Sequence, residues 1–368
     1  MLTVSTLIEF PPHKKAMVNH LSKRSMVERV YSPNLFSEAS HQHFDMIKRP
    51  IFLVGAERSG TTLLRLMLDH HPQIGFWGGF EYGVSQIDAQ GNFPKLDDYY
   101  QWLRAERNFL MDGPSIDRRL TYPELVNSFL KQFQNFSNKP VMGATVHHHF
   151  NRLLQIWPDA VFIHIVRDGR DVARSCINMG WAGDGWHAAE RWLNAETLWE
   201  QLKPQLPESR RLEVRFEDLI LNTTETLDRI CQYISTSGES PVPLRYHPDM
   251  MNYANGTAYE LPNARLVNQW HHKGSKREIQ LIESRIAPLL VERGYELSGL
   301  PHLRVSRWGR IGLKLQNKLG ILSRRAQKYG LPLVSADLVA RRLKLNGLSD
   351  RIRKKINVID INNMKESW

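Results

Sequence analysis

The stretch PIFLVGAERSGTTLLRLMLDHHP, which runs from Pro50 to Pro72, decides the fold class. It begins with a short apolar run that ends at Gly55, and such a run predicts a buried strand. From Gly60 onward the apolar residues recur at helical spacing. A glycine-rich turn between a strand and a helix points backbone N–H groups at an anion, and the helix dipole adds partial positive charge. The stretch therefore predicts a loop at 55–62 that binds a phosphate-like group.

The loop differs from the phosphate loop of nucleoside triphosphate enzymes, G-x-x-x-x-G-K-[ST], at the lysine position, which is Thr61 here. That lysine contacts the terminal phosphates of ATP, so its absence argues against a kinase or NTPase. Arg58 supplies positive charge instead, and Thr61 and Thr62 add hydroxyl donors. A small-molecule kinase with a phosphate loop stays as an alternative function.

Strands and helices alternate along most of the remaining chain. Further strands are predicted at 140–143, 160–166 and 211–216, and helices at about 60–71, 169–179, 186–202, 224–235 and 276–293, with two amphipathic helices in 97–136. This alternation predicts an α/β fold in which helices cover both faces of a parallel sheet. We expect an irregular N-terminal lead-in at 1–47, the α/β domain at 48–300 and a helical tail at 301–368.

The positive charge of the chain is concentrated in its tail. Of the 49 Lys and Arg and the 38 Asp and Glu residues, 16 and 4 lie in 301–368. The tail therefore carries a formal charge of +12, and the charges of 1–300 nearly cancel. No recognised nucleic-acid module is present, so we expect no nucleic-acid partner. The sequence of the tail predicts two or three short basic helices. Three alternatives remain for their role: a solvated surface, contact with an anionic membrane surface, or binding of an acidic polymer.

Cysteine content and the apolar segments bear on the compartment. Two cysteines are present, Cys176 and Cys231, which excludes a disulfide framework and favours a reducing environment. The start of the sequence lacks the charged lead and long apolar core of a signal peptide, and no apolar run is long enough to span a bilayer. We therefore expect a cytoplasmic protein, peripheral to a membrane at most.

A second candidate anion site follows the clearest buried strand of the sequence. In FIHIVRDGRDVARSC, residues 162–176, Arg167 stands where the strand ends and Ser175 lies inside the next helix. Ligands of parallel sheets bind beyond the carboxyl ends of the strands, so we expect these two side chains to converge on one anion. Two anion sites suit a ligand with two phosphate-like ends.

Together the two motifs resemble those of the sulfotransferase superfamily, and especially of the tyrosylprotein sulfotransferases and related bacterial enzymes. The resemblance implies a P-loop-type parallel sheet, 3′-phosphoadenosine 5′-phosphosulfate as the donor and no required metal. It also implies in-line transfer of the sulfuryl group to an acceptor hydroxyl or amine, without indicating whether the acceptor is a carbohydrate, small molecule, lipid or peptide. By resemblance the 5′-phosphosulfate is held by Arg58, Ser59, Gly60, Thr61 and Thr62, the 3′-phosphate by Arg167 and Ser175, and the adenine by Phe216, with a further phosphate contact from Lys273.

Two residues are candidate general bases, and Arg58 is the candidate cation at the sulfuryl group. Glu81 lies in the aromatic segment FWGGFEY, which predicts a raised carboxyl pKa, and tyrosylprotein enzymes have a glutamate base at about this place. His147 aligns with the catalytic histidine of the cytosolic small-molecule enzymes. The lysine that relatives place two residues before this histidine is Thr145 here. This departure leaves a catalytically weak nucleotide-binding scaffold as a further alternative.

Overall fold

The computed structural model describes residues 46–237, 240, 243–255, 257, 259–343 and 345–366. Nearly all of the lead-in predicted at 1–47 therefore lies outside the described residues. Within the described ranges, no helix is both long enough and apolar enough to cross a membrane.

Five parallel strands form one sheet in the described part of the chain. Their bounds are β1 Ile51–Val54, β2 Ile74–Gly79, β3 Val141–Val146, β4 Val161–Val166 and β5 Arg211–Arg215. The spatial order is β2-β3-β1-β4-β5, so β1 lies at the centre, between β3 and β4. All four residues of β1 are apolar and buried, as expected for the central strand of a sheet that is covered on both faces.

Helices connect the strands and cover the sheet, so the predicted α/β fold is confirmed. A single turn of tighter helix, Glu81–Gly83, comes shortly after β2. The helices are α1 Thr61–Asp69, α2 Leu96–Leu103, α3 Arg107–Asp112, α4 Tyr122–Ser137, α5 Gly169–Asn178, α6 Gly185–Leu202, α7 Phe216–Leu221, α8 Thr223–Ser237, α9 Trp270–Lys273, α10 Lys276–Glu292, α11 Arg307–Tyr329, α12 Leu331–Arg342 and α13 Asn346–Glu366.

The core lies on both faces of the sheet because the side chains of each strand alternate between them. Phe52 and Val54 of β1 pack into a cluster with aromatic side chains of α2, α3 and α4. Ile51 and Leu53 face the opposite side, where α1 and α8 supply the apolar partners. A third cluster lies between α5, α6 and α10 and includes the buried Trp192. The strand ends therefore rest on a scaffold that is packed from both sides.

Some elements differ from the sequence-based expectation. Residues 97–136 contain three helices rather than two, because Gly113 ends α3 in a left-handed conformation and Thr121 opens α4 with a capping box. The sequence does not predict β2, since the three glycines of IGFWGG favour a turn. Strand β3 continues to Val146, beyond its predicted end, and this places His147 directly after the strand.

Three helices, α11 to α13, make up most of the basic tail, with lengths of 23, 12 and 21 residues. They are longer than the short pieces that the sequence predicts. The amide of Gly183 donates to Asn317 Oδ1 of α11 at 2.7 Å. Asp360 of α13 pairs with Arg107 of α3 at 3.5 Å. The tail thus contacts the α/β body at two separate places.

Candidate functional site

The predicted site residues gather at the edge of the sheet where the strands end. The loop 55–62 follows β1, Glu81 comes after β2, His147 follows β3 and Arg167 follows β4. Because β1 lies between β3 and β4, the connections diverge at this point, and α/β sheets bind ligands in such a crevice. The topology therefore brings together four segments that are far apart in the sequence.

The loop after β1 has backbone conformations that few residue types can adopt. Gly55 has φ 144°, and a Cβ there would lie 2.4 Å from the carbonyl oxygen of Ile165. Gly60 has φ 98°, and its Cβ would lie 2.3 Å from the Phe216 ring. Arg58 has φ 73°, a left-handed conformation that costs a residue with a side chain roughly 1–2 kcal/mol. Such strain concentrates at functional sites, which points to a role for the Arg58 side chain.

Arg58 connects the two predicted anion sites. Its Nε donates to Ser175 Oγ at 2.9 Å. Its backbone carbonyl accepts from Arg167 Nη1 at 3.3 Å. The Ser59 hydroxyl, which is fully buried in the same loop, has no hydrogen-bond partner among the described residues. The structure thus brings the residues of the first motif into direct contact with those of the second.

An open cleft lies beside this contact. Three of its seven lining side chains are cations and one is an acid, and they are Arg167, Asp171, Arg174, Ser175, Asn178, Gln269 and Lys273. Asp171 is engaged by the chain itself, because it accepts from the backbone amides of Gln269 and Trp270 at 3.2 and 2.7 Å. The cleft therefore suits an anion. Sequence reasoning missed Arg174 and Asn178, although their helical spacing around Ser175 places them on one side of α5.

The Phe216 ring, predicted to contact adenine, is covered by protein atoms. Its side chain is buried, with Gly60 against the ring edge. The Arg167 guanidinium carbon lies 4.2 Å from the ring centroid, and Arg167 also donates to the carbonyl of Leu266 at 2.8 Å. The Phe216 ring therefore packs against the Arg167 guanidinium and supports it in this structure. Lys273, by contrast, is exposed at the end of α9 and faces the cleft.

Glu81, His147 and Thr61 form a continuous chain of polar contacts. His147 Nδ1 lies 2.6 Å from Glu81 Oε1, and the His147 backbone amide donates to the same oxygen at 3.1 Å. His147 Nε2 lies 3.0 Å from Thr61 Oγ1, at the start of α1. A shift in the register of β2 after Trp77 precedes the turn that carries Glu81. The two candidate bases are therefore one unit, and this unit touches the anion-binding loop.

The pKa values of Glu81 and His147 move apart. Although burial favours neutral forms, the hydrogen bond and charge of His147 lower the pKa of Glu81 below its ordinary value of 4.5. The same contact raises the pKa of His147 above 6.5, against the effect of burial. The raised pKa predicted for Glu81 is therefore wrong, because its surroundings contain a histidine as well as aromatic rings. The contact therefore favours a carboxylate paired with an imidazolium over two neutral groups.

The second carboxylate oxygen of Glu81, Oε2, is the candidate proton-accepting atom of this side chain. Oε2 is buried and has no hydrogen-bond partner in the part of the chain that the structure describes. Beside it is Gly79, where a Cβ would lie 2.8 Å from Oε2 and 3.0 Å from Asn108 Nδ2. A buried carboxylate oxygen without a donor is costly to maintain, so it indicates a place for a ligand hydrogen-bond donor.

Thr145, which stands where the resemblance to the family implies a lysine, is buried in β3. Its side-chain oxygen makes no hydrogen bond to any residue that the structure describes, and its carbonyl accepts from the Phe80 amide at 2.9 Å. His147 lies two residues later, and against the effect of burial the hydrogen bond and charge of Glu81 raise its pKa above 6.5. This shift favours a positive charge close to Thr145 in the chain.

Asp112 is a further titrating group that sequence reasoning missed. Burial raises its carboxyl pKa to about 7, although Tyr82 Oη donates to it at 3.1 Å. Perturbed groups of this kind cluster at functional sites. No motif marks Asp112, because its surroundings depend on how α3 packs beside the turn at 81–83.

The three consecutive histidines do not converge on one point. His147 contacts Glu81, whereas His148 Nε2 lies 3.4 Å from Glu57, which also pairs with Arg191. Although burial raises it, the hydrogen bond to His148 and the charge of Arg191 lower the pKa of Glu57 to about 2. Among the residues that the structure describes, no group of three or more His, Cys, Asp or Glu side chains has an arrangement suited to a metal ion.

Comparison with known proteins places this site in a family. The model of the Sulfotransferase family matches residues 50–239, more than half of the chain. A protein-tyrosine sulfotransferase of Drosophila melanogaster is 26% identical over 227 residues, which are 56% of this chain and 41% of that protein. Protein-tyrosine sulfotransferase 1 of Danio rerio is 25% identical over 291 residues, 71% of this chain and 75% of that protein. The chain thus spans about two fifths of the length of the first relative.

The chain is also similar to solved sulfotransferase structures, at lower sequence identity. The sulfotransferase domain from the curacin biosynthetic pathway is 15% identical, with a TM-score of 0.49 over 69% of this chain and all of that domain. The sulfotransferase domain from the Synechococcus PCC 7002 olefin synthase is 19% identical, with a TM-score of 0.47 over 71% of this chain.

The cytoplasmic placement expected from the sequence is wrong. It was based on the small number of cysteines and the absence of a recognisable leader, neither of which identifies a compartment. The curated relatives are protein-tyrosine sulfotransferases, and they are not cytoplasmic enzymes.

Proposed function

The chain belongs to the sulfotransferase family, and from this premise we propose that it transfers a sulfuryl group from 3′-phosphoadenosine 5′-phosphosulfate to an acceptor hydroxyl. The observation that carries the proposal is the contact between Arg58 and Ser175, at 2.9 Å. It makes one continuous surface of two anion sites that the sequence places more than a hundred residues apart. The donor has anionic groups at both of its ends, so it matches a site with two anion-binding parts.

The loop at 55–62 is proposed to hold the phosphosulfate end. Backbone N–H groups at the start of α1, the Arg58 guanidinium and the hydroxyls of Thr61 and Thr62 supply the donors. The buried Ser59 hydroxyl, which has no partner, is suited to one of these oxygens.

The cleft along α5 is proposed to hold the 3′-phosphate. Arg167, Ser175 and Lys273 are predicted ligands that line it, and Arg174 adds a cation from the same helix. Arg174 already pairs with Glu278 at 2.5 Å, so it is held in place before any ligand arrives. Phe216 contributes by supporting Arg167, whose guanidinium lies over its ring.

The transfer itself needs a proton acceptor and a cation. In an in-line displacement the bond from the acceptor oxygen to sulfur forms while the bond from sulfur to the 5′-phosphate oxygen breaks. The hydroxyl proton goes to a base, and negative charge develops on the leaving phosphate. We assign the base to Glu81, because its Oε2 is buried without a partner among the residues described here by the structure, while Oε1 is held by His147.

His147 is assigned the cationic role on the donor side. Its Nδ1 donates to Glu81, and in the imidazolium form its Nε2 donates to Thr61 at the donor loop. It thereby supplies positive charge near Thr145, the position where the resemblance to the family implies a lysine. Arg58 is the second cation. Glu81 and His147 then have different tasks within one contact.

The names of the relatives indicate which acceptor to test first. The relatives are named for protein tyrosine, which makes a tyrosine phenol in a peptide the first acceptor to test. The decisive experiment supplies labelled donor to the purified chain with peptides, carbohydrates, phenols and lipid alcohols in parallel. Label transfer to any of them supports the enzyme. Tight binding of the donor without transfer to any class favours the scaffold, and transfer of phosphate from ATP would favour the kinase; both outcomes contradict the proposal.

A further inference from the structure

Helix α11 attaches to the α/β body through one side. Leu313 is buried, and Asn317 Oδ1 accepts from the Gly183 amide at 2.7 Å. Gly320 approaches Gly183 so closely that a Cβ on Gly320 would lie 2.6 Å from the Gly183 Cα. These three residues of α11 recur at spacings of four and three, so they define one face of the helix. The opposite face points away from the body.

The outward face of α11 is apolar. Trp308, Ile311, Leu315 and Leu319 are 82%, 59%, 60% and 57% exposed. Their spacings of three, four and four residues align them in a single stripe about half a turn from the docked face. Single exposed apolar residues are ordinary on protein surfaces. Four apolar side chains in one stripe on one helix form a continuous apolar surface, which is shielded from water only when a partner covers it.

A basic stripe runs beside the apolar one. Arg307, Arg310, Lys314 and Lys318 each precede one of the four apolar residues by one position, and all four are exposed. There is no Asp or Glu anywhere from 301 to 330.

Two acidic residues of the tail are already paired within it or with the body. Asp337 binds Arg325 and Arg341, and Asp360 binds Lys328 and Arg107. The positive charge beside the apolar stripe is therefore not neutralised by these two carboxylates.

We propose that α11 lies flat on an anionic lipid surface, with its apolar stripe among the acyl chains and its basic stripe at the headgroups. An amphipathic helix with a tryptophan on the apolar face and lysines and arginines beside it has the composition that such a surface binds. Lysine and arginine side chains reach from the helix flank to phosphates while their methylene groups stay in contact with the apolar layer. An acidic polymer would use the basic stripe alone and leave the four apolar side chains in water, so the lipid surface accounts for more of what is observed. The proposal does not depend on the transfer reaction.

The test is flotation of the full chain with phosphatidylcholine vesicles, made with and without phosphatidylserine. We expect binding to the anionic vesicles, at least tenfold weaker binding to the neutral ones, and a decrease as salt is added. Replacing the apolar stripe with I311Q/L315Q/L319Q is expected to lower binding at least tenfold. The matched control, L221Q/V291Q, changes exposed apolar residues on α7 and α10 and should bind like the unchanged chain.

A second variant distinguishes loss of lipid binding from misfolding of the first variant. K314E/K318E leaves the apolar stripe intact and should also lose anionic-vesicle binding, with an unchanged circular dichroism spectrum. Equal binding by the unchanged chain and both variants would overturn the proposal. So would retention on heparin together with no flotation, which would identify an acidic polymer as the partner. A dimer that I311Q/L315Q/L319Q converts to a monomer without altering flotation would assign the stripe to a second copy and overturn it as well.

Discussion

His147 Nδ1 lies 2.6 Å from Glu81 Oε1, and the two side chains are 17% and 16% exposed. This contact links the end of β3 to the turn that follows β2, and through His147 Nε2 it extends to Thr61 at the start of α1. In the sequence the two residues are alternative bases. In the structure neither can change its protonation without affecting the other.

Glu81→Gln should lower turnover about 10²–10⁴-fold, the usual contribution of a positioned general base. The amide is close in shape to the carboxylate but cannot take the acceptor proton. We expect the affinity for adenosine 3′,5′-bisphosphate to change little, since Glu81 is not assigned to the donor. Turnover is measured with labelled donor and binding by calorimetry. Glu208→Gln, on a side chain that is 94% exposed, is the control; turnover by Glu81→Gln within a few-fold of the unchanged chain would place the base elsewhere.

Turnover should fall, not rise, as the pH increases through the raised pKa of His147. Glu81 has a lowered pKa and is ionised throughout this range, so its readiness as a base does not change there. His147 loses its proton above 6.5, and with it the positive charge beside Thr61. A pH profile of turnover at saturating donor tests this. A rise to a plateau through the same region would instead assign the base to His147.

Stability should depend on the same pair in a defined pH window. A carboxyl whose pKa is lowered on folding stabilises the protein above its ordinary value of 4.5 and loses this contribution as the pH falls through the lowered pKa. A histidine whose pKa is raised stabilises it below 6.5 and loses this as the pH rises through the raised pKa. His147→Gln should therefore destabilise most between about 4.5 and 6.5 and progressively less at alkaline pH.

Denaturant midpoints of His147→Gln and the unchanged chain, measured across this range, provide the check. His272→Gln, on an exposed residue of α9, is the control and should track the unchanged chain. A difference between His147→Gln and the unchanged chain that stays constant with pH would show that the pair is not ionised.

Arg58→Gly should keep the fold and lose the activity. Glycine relieves a left-handed strain of roughly 1–2 kcal/mol. The loss of the hydrogen bond to Ser175 and the added freedom of the unfolded chain offset this gain, so the free energy of unfolding should stay within about 1 kcal/mol of the unchanged chain. Turnover should fall by about 10²-fold or more, because a preorganised cation at the developing charge is lost. Asn138→Gly, at φ 53° on the end of α4, relieves a similar backbone without touching the site. Full turnover by folded Arg58→Gly would contradict the assignment of the loop.

Thr145→Val should leave stability unchanged or raise it. The buried Thr145 hydroxyl has no hydrogen-bond partner within the described ranges, and an unsatisfied buried group of this kind costs about 1–3 kcal/mol. The control is Thr226→Val, since the buried Thr226 hydroxyl donates to the Asp218 carbonyl at 3.2 Å and its removal should cost about 1 kcal/mol. Both are compared by denaturant unfolding. Equal destabilisation of the two variants would mean that Thr145 has a partner in solution.

The parts of the site with a local signal are the parts that the sequence predicts. The loop at 55–62 has its glycines, its arginine and its threonines within eight residues, between a strand and a helix. Arg167 and Ser175 likewise stand at recognisable positions on one strand and one helix. For these residues the conformation follows from neighbours in the chain, so pattern and chemistry suffice.

The remaining parts depend on contacts between distant segments. The sequence suggests a raised pKa for Glu81 because it shows aromatic neighbours, but it does not show that His147, 66 residues away, donates to the carboxylate. Strand β2 is missed because its glycines suit a turn, and only pairing with β3 makes it a strand. The pKa of Asp112 follows from burial beside Tyr82, which no local pattern encodes.

The contact between α11 and Gly183 has a consequence for any attempt to shorten the chain. Gly183 lies in the loop between α5 and α6, and α5 carries Arg174 and Ser175 on the wall of the cleft. Truncation at residue 300, the end of the proposed catalytic domain, would remove the hydrogen-bond partner of the Gly183 amide and expose Gly183 where Gly320 now packs on it. We therefore expect a chain shortened at residue 300 to lose the packing of the loop that follows α5, beside the proposed cleft.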